Sequence, residues 1–166
     1  DIVLLNTCSV REQAEIKAVG KAGILQFSRK KDKNFILGIM GCMAQNRGEQ
    51  LINSLPDLNL VVGTHKFHRI PDFLDDIRKT SHQNRVPQIH LEEEKDSQSE
   101  IKHHVTNPKN NVSAFVSIMQ GCNMNCSFCI VPKTRGRERY RSIDEIVAEV
   151  EELSLSLIHI SEPTRP

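Results

Sequence analysis

Phe35-Ile36-Leu37-Gly38-Ile39-Met40-Gly41-Cys42-Met43-Ala44-Gln45 is an apolar run that breaks at a glycine and passes into helix-forming residues, which end near Ser54 ahead of Pro56. A run of that length with such sharp bounds suits a buried strand followed by a helix. The pattern recurs on both sides. Upstream, residues 2–5 are apolar and branched, Asn6-Thr7-Cys8-Ser9 follows, and residues 11–28 have helical character. Downstream, residues 58–62 lead through Gly63-Thr64-His65 to a segment in which Ile70, Leu74 and Ile77 fall on one helical face. This alternation predicts an α/β unit with a parallel sheet covered by helices.

In such a sheet the C-terminal ends of the strands share one edge, where ligands usually bind. Cys8 and Cys42 each stand just past a strand, so both are expected on that edge, facing one pocket. Either cysteine alone reads equally well as a buried space-filler. Equivalent placement in successive units favours a functional role, although two thiolates alone make a poor cluster site.

The other three of the five cysteines lie within eight residues, in Gly121-Cys122-Asn123-Met124-Asn125-Cys126-Ser127-Phe128-Cys129. Soft thiolates converging from a C-x3-C-x2-C loop select zinc, copper or an iron-sulfur cluster. Structural zinc wants four protein ligands. The loop holds no histidine, His103 and His104 being the nearest upstream. A cubane iron-sulfur cluster held by three cysteines keeps one iron open to a small molecule, so the spacing favours that chemistry.

The spacing, with the aromatic Phe128 just before the last cysteine, resembles the cluster motif of radical S-adenosylmethionine enzymes. The longer run from Ser117-Ile118-Met119-Gln120-Gly121-Cys122 through Cys129-Ile130-Val131-Pro132-Lys133-Thr134-Arg135-Gly136-Arg137-Glu138-Arg139 resembles the tRNA methylthiotransferases that modify dimethylallyladenosine beside the anticodon. Asn6-Thr7-Cys8-Ser9-Val10-Arg11-Glu12 and Gly41-Cys42-Met43-Ala44 resemble the second and third cysteine motifs of that family's N-terminal domain. Val62-Gly63-Thr64-His65-Lys66-Phe67-His68-Arg69-Ile70-Pro71 resembles its later strand-helix junction. The family's first cysteine motif precedes the point where this sequence starts.

The resemblance implies a 4Fe-4S cluster on Cys122, Cys126 and Cys129 that binds S-adenosylmethionine, with Phe128 packed near the cluster and cofactor. It implies a second 4Fe-4S cluster on Cys8, Cys42 and a third ligand absent from this sequence. A 5′-deoxyadenosyl radical would abstract hydrogen from the adenine ring, and sulfur delivered at the second cluster would be inserted and methylated. The implied partners are a tRNA anticodon stem-loop, an electron donor such as flavodoxin or ferredoxin, and a sulfur source. The chain alone, with much of the family's length missing, is expected to be inactive. Related methylthiotransferases act on threonylcarbamoyladenosine in tRNA or on a ribosomal-protein aspartate, and Tyr140-Arg141-Ser142 departs from the Ser-Arg-Pro usual in the dimethylallyladenosine branch. From another class, a non-catalytic zinc or redox module remains the alternative.

Composition announces no partner by itself. The chain has 166 residues, with 22 basic and 21 acidic, so no overall field marks nucleic acid. Neither a leader nor a run of eighteen apolar residues occurs, and the expectation is a cytoplasmic protein with no membrane partner. Five cysteines in such a chain read as ligands more readily than as disulfides.

The expected division is a methylthiotransferase N-terminal domain over 1–80, a linker over 81–111, the start of a radical S-adenosylmethionine domain over 112–154, and a non-native tail over 155–166. The linker is polar, with Glu92-Glu93-Glu94, and His65, His68, His82, His90, His103 and His104 are expected as surface or capping residues rather than ligands. Residues 112–119 are expected as the first strand of a partial TIM barrel, with the cluster loop at its C-terminal mouth. Lys133, Arg135, Arg137, Arg139 and Arg141 form a basic run suited to phosphate contacts. Ser142 and Glu145 make a capping-box pattern, and Ile143, Ile146, Val147, Val150 and Leu153 are expected to form the core stripe of the first barrel helix. The tail reads as translated adaptor sequence.

Overall fold

The computed structural model describes residues 1–80, 85–93 and 115–157. Most of the expected linker, His82, His103, His104 and the tail beyond residue 157 lie outside the described residues. The described residues form two compact units, one from 1–80, 85–93 and 121–137, the other from 115–120 and 138–157.

In the first unit, strands β1 (Ile2–Thr7), β2 (Ile36–Gly41), β3 (Leu60–Val62) and β4 (Gln88–His90) form a four-stranded sheet in that order. Every neighbouring pair is parallel. Helices α1 (Glu12–Arg29), α2 (Cys42–Ser54) and α3 (Ile70–Lys79) follow the first three strands, and a short α4 (Val131–Arg135) packs on α2. The expected α/β architecture is therefore observed. β4 falls inside the stretch expected as a linker. Its side chains are only partly buried, so a three-residue edge strand carries little apolar signal, and its pairing with β3 is what defines it.

The sheet is buried on both faces, which explains why β2 and β3 read as continuous apolar runs. Leu37, Ile39 and Val61 pack with Ala22, Met43, Leu51, Leu55 and Leu58 on one side. Ile36, Leu60 and Val62 pack with Ile70, Phe73 and Ile77 of α3 on the other. Helix α3 carries Pro71 and Asp72 in its first turn and Arg78 and Lys79 in its last, the charge order that complements a helix dipole.

Two histidines expected at the surface belong to this packing. His65 is 7% exposed, and the His90 ring stacks on Phe73 with centroids 3.6 Å apart. Both follow or sit in strands of a sheet covered on both faces, so their rings are drawn inward with their neighbours. His68 is exposed, as expected.

The second unit contains β5 (Met119–Gln120) paired antiparallel with β6 (Arg139–Tyr140), and helix α5 (Ile143–Leu157). The long strand expected from 112 reduces to β5 in the described residues, and its partner is β6. The expected stripe on α5 is also corrected: Ile143 is 78%, Val147 47% and Val150 48% exposed. The inward positions are Ile146, Glu149 and Leu153. Two-residue strands offer no face broad enough to cover a wide stripe, and the helix turns its buried carboxylate inward instead. Half of the capping box is present, the Glu145 amide donating to Ser142 Oγ at 3.3 Å.

Candidate functional site

The end of β1 is paired with the end of β2, Thr7 standing opposite Gly41. The next residue on each strand is a cysteine. Neighbouring strands run about 4.8 Å apart, so Cys8 and Cys42 leave the same sheet edge side by side. Gly41 makes the sharp exit possible. Its φ is +101°, and a Cβ there would lie 2.4 Å from the Thr7 carbonyl oxygen, so only glycine fits. Cys42 then becomes the first residue of α2 and is buried, whereas Cys8 is exposed.

The Cys8 loop is held by polar contacts to both flanking helices. Thr7 Oγ1 donates to the Met40 carbonyl at 2.7 Å. Ser9 Oγ donates to Glu15 of α1. Asn46 Nδ2 of α2 donates to Ser9 Oγ at 3.2 Å, and Arg47 Nε pairs with Glu15 Oε2 at 2.5 Å. Glu15 itself is 6% exposed, a buried carboxylate satisfied by a hydroxyl and a guanidinium. The sequence reading missed it. Its signal was available, since Glu15 falls on the same helical face as Ala18 and Ala22, a charge on a buried stripe.

The loop with the other three cysteines begins after β5 and ends in α4. Cys122 and Cys129 are partly exposed and Cys126 exposed. Within it the Cys129 amide donates to the Cys126 carbonyl at 3.1 Å, a tight turn whose outer residues are Ser127 and Phe128. Phe128 is 91% exposed. The Cys122 amide donates to the Gly136 carbonyl at 3.1 Å, closing the loop at its base.

The donor set fits an iron-sulfur cluster in chemistry and access: three free thiols on one short loop, none of them in a disulfide. Among the described residues no three His, Cys, Asp or Glu side chains are gathered at metal-binding separation. A cluster held by all three would have to draw their sulfurs together. Cys8 and Cys42 supply two thiols, one short of the three that the resemblance implies. A cleft of about 310 Å³ lies between α1 and α2, lined by Glu15, Arg47 and Leu51 among others, and another of about 290 Å³ lies at the N-terminal edge of the sheet, lined by Phe35, Asn59 and Pro87 among others.

The basic run divides into two kinds. Lys133, Arg135 and Arg137 are exposed. Arg139 and Arg141 are each 8% exposed. Arg139 donates to Gln120 Oε1 at 3.2 Å, and Arg141 pairs with Glu149 and donates to the Ser117 carbonyl at 2.9 Å. Two of the five expected phosphate contacts are thus occupied within the protein.

Close by the β3 edge, Lys66 pairs with Glu92 at 2.6 Å, and this hydrogen bond holds the Glu92 carboxyl below its usual range. Burial pushes the His90 imidazole below its ordinary value of 6.5, with Lys66 and Arg69 acting in the same direction and Glu92 opposing.

Two family models match the chain. Residues 1–63 match the one described as uncharacterized protein family UPF0004, and residues 116–165 match the radical SAM superfamily. The second match takes in most of the 155–166 segment that the sequence reading set apart. Among curated proteins, the chain is 49% identical to a tRNA-2-methylthio-N(6)-dimethylallyladenosine synthase of Opitutus terrae, over 93% of this chain and 37% of that protein. It is 44% identical to the protein of that name from Akkermansia muciniphila, over 93% of this chain and 36% of the relative. The Methylacidiphilum infernorum protein of that name is 46% identical over 93% of this chain and 32% of its own length. The chain thus spans about a third of these relatives. No helix among the described residues is long and apolar enough to cross a membrane. Both models match in succession, and over nearly its whole length the chain is similar to proteins named tRNA-2-methylthio-N(6)-dimethylallyladenosine synthase.

Proposed function

We propose that this chain provides the cluster-bearing part of an enzyme that inserts sulfur into, and methylates, dimethylallyladenosine next to the anticodon of tRNA. The observation that carries the reading is the C-x3-C-x2-C loop of three free thiols in the same compact unit as Cys8 and Cys42. The names of the relatives supply the substrate. When bound, a 4Fe-4S cluster with S-adenosylmethionine supplies one-electron cleavage of a carbon-sulfur bond in that cofactor.

Cys122, Cys126 and Cys129 would hold that cluster, and the exposed Phe128 would lie against the cofactor. Cys8 and Cys42 would give two ligands to a second cluster, their side-by-side exit from β1 and β2 bringing two sulfurs to one edge. Lys133, Arg135 and Arg137 would face phosphate. The anticodon stem-loop, an electron donor of the flavodoxin or ferredoxin kind and a sulfur source are the partners this chemistry requires. In this reading residues 1–80 and 112–154 belong to the two functional domains, and the protein acts in the cytoplasm.

The test is nucleoside analysis of tRNA from cells that lack the endogenous activity and express a full-length protein containing this chain. Methylthiolated dimethylallyladenosine should appear and vanish with Cys122→Ala. Methylthiolated threonylcarbamoyladenosine in its place would reassign the substrate. The 166-residue chain alone, given reductant, sulfide and S-adenosylmethionine, should yield no methylthiolated tRNA.

A further inference from the structure

We infer that Thr64 and His65, at the exit of β3, are positioning residues that fix Cys122 to the sheet carrying Cys8 and Cys42; the consequence for a cluster rests on the proposed function, the clamp itself does not. Thr64 Oγ1 donates to the Thr134 carbonyl at 2.6 Å. That carbonyl lies in the last turn of α4, where helical carbonyls lack partners of their own. Thr134 is 1% exposed, and its amide and hydroxyl both bond the Ile130 carbonyl, at 3.0 and 3.1 Å. The helix is therefore secured at the residue that Thr64 grips.

Two residues on, Gly136 lies close to the His65 ring. Its φ is +72°, and a Cβ at that position would stand 3.1 Å from His65 Cε1 and 3.2 Å from Nε2. Only glycine can both adopt that backbone and let the imidazole approach so closely. The Gly136 carbonyl then receives the Cys122 amide at 3.1 Å. Sheet, Thr64 and His65, Thr134 and Gly136, and Cys122 form one continuous series of contacts. Its root is rigid, since Val61 and Val62 are 0% and 1% exposed.

The three cysteines of the loop are consequently unequal. Cys122 is referenced through its main chain to the sheet whose adjoining strands end in Cys8 and Cys42. Cys126 and Cys129 sit on a turn joined by their own hydrogen bond, and Cys129 directly precedes Ile130, whose carbonyl receives the Thr134 amide. Cys122 is the one of the three held at its own amide, and Cys126, midway along the loop between the two anchors, would close toward it.

The experiment is residue-resolved amide hydrogen exchange of the full chain, for the wild type, Thr64→Val and Thr64→Ser, followed by anaerobic reconstitution and electron paramagnetic resonance of each in a Cys8→Ala/Cys42→Ala background. In the wild type the Cys122 and Gly136 amides should be protected relative to those of Met124 to Ser127. Thr64→Val should speed exchange at Cys122 by roughly five- to tenfold, the loss of one hydrogen bond. Thr64→Ser, which keeps the hydroxyl, should restore protection. The reduced-cluster spectrum should broaden or shift in Thr64→Val and return in Thr64→Ser. An unprotected Cys122 amide in the wild type overturns the inference even if Thr64→Val does not fold. Equal exchange and equal spectra in the valine and wild-type chains overturn it too. A wild-type background chain that takes up no cluster removes the proposed function instead, while exchange still decides whether the clamp exists.

Discussion

The Arg141 guanidinium and the Glu149 carboxylate form an ion pair with side chains only 4% and 3% exposed. They join β6 to α5 inside the second unit, Arg141 following directly on Arg139–Tyr140. A cation so placed serves the fold. Removing one partner leaves a buried charge alone, so Arg141→Ala or Glu149→Ala is expected to destabilise the unit by about 3–5 kcal/mol. Replacing both with apolar residues of similar size should cost far less. Urea denaturation followed by circular dichroism checks this, and equal losses in the single and double variants would contradict it.

Glu15 ties the Cys8 loop to α2 through Ser9 and Arg47. Arg47 is 44% exposed, so solvent weakens that arm. Glu15→Ala is expected to cost about 1–2 kcal/mol, with hydrogen exchange rising in residues 7–10 before it rises in β2. Uniform exchange across the sheet would show that Glu15 supports the whole unit rather than the loop.

His90 gives the first unit a pH dependence whose sign follows from its burial. Burial holds its folded pKa below the ordinary 6.5. Between the two values the unfolded chain binds more protons, so stability is fully present above 6.5 and falls as pH drops below it toward the folded pKa. Melting temperatures measured from pH 5 to 8 should show this fall, and a His90→Gln variant should flatten it. An unchanged slope in the variant would assign the dependence to another group.

Thiol reactivity should follow the positions of the cysteines. Alkylation of the folded chain, read by mass spectrometry, should modify Cys8 and Cys126 first, Cys122 and Cys129 later, and Cys42 last. Denaturant should abolish the order. Early labelling of Cys42 would contradict its burial at the start of α2.

Much of this fold is legible because the sheet is covered on both faces. Ile36 to Met40 and Leu60 to Val62 must then be apolar throughout, and an uninterrupted apolar run between a glycine and a polar segment is easily seen. Gly41 announces the turn that delivers Cys42, and the placement of Cys8 and Cys42 past their strands follows from it. β4 escapes because an edge strand of three half-buried residues has little pattern. The α5 stripe misleads for a related reason. Periodicity marks apolar residues, but which face is buried depends on the neighbours, and here Glu149 wins a buried place through Arg141. The basic run likewise looks uniform in sequence, while pairing partners outside it, at Gln120 and Glu149, decide which cations stay exposed. Thr64 and His65 carry no local mark of their contact with Thr134 and Gly136, some seventy residues away.

The most direct measurement is anaerobic reconstitution of the chain with iron and sulfide, followed by its visible spectrum beside that of a Cys122→Ala/Cys126→Ala/Cys129→Ala variant, both shown to be folded by circular dichroism. A broad brown absorbance in the wild type that is lost in the triple variant is the predicted result. A folded chain that stays colourless and retains zinc, or a colour that the triple variant keeps, would contradict it.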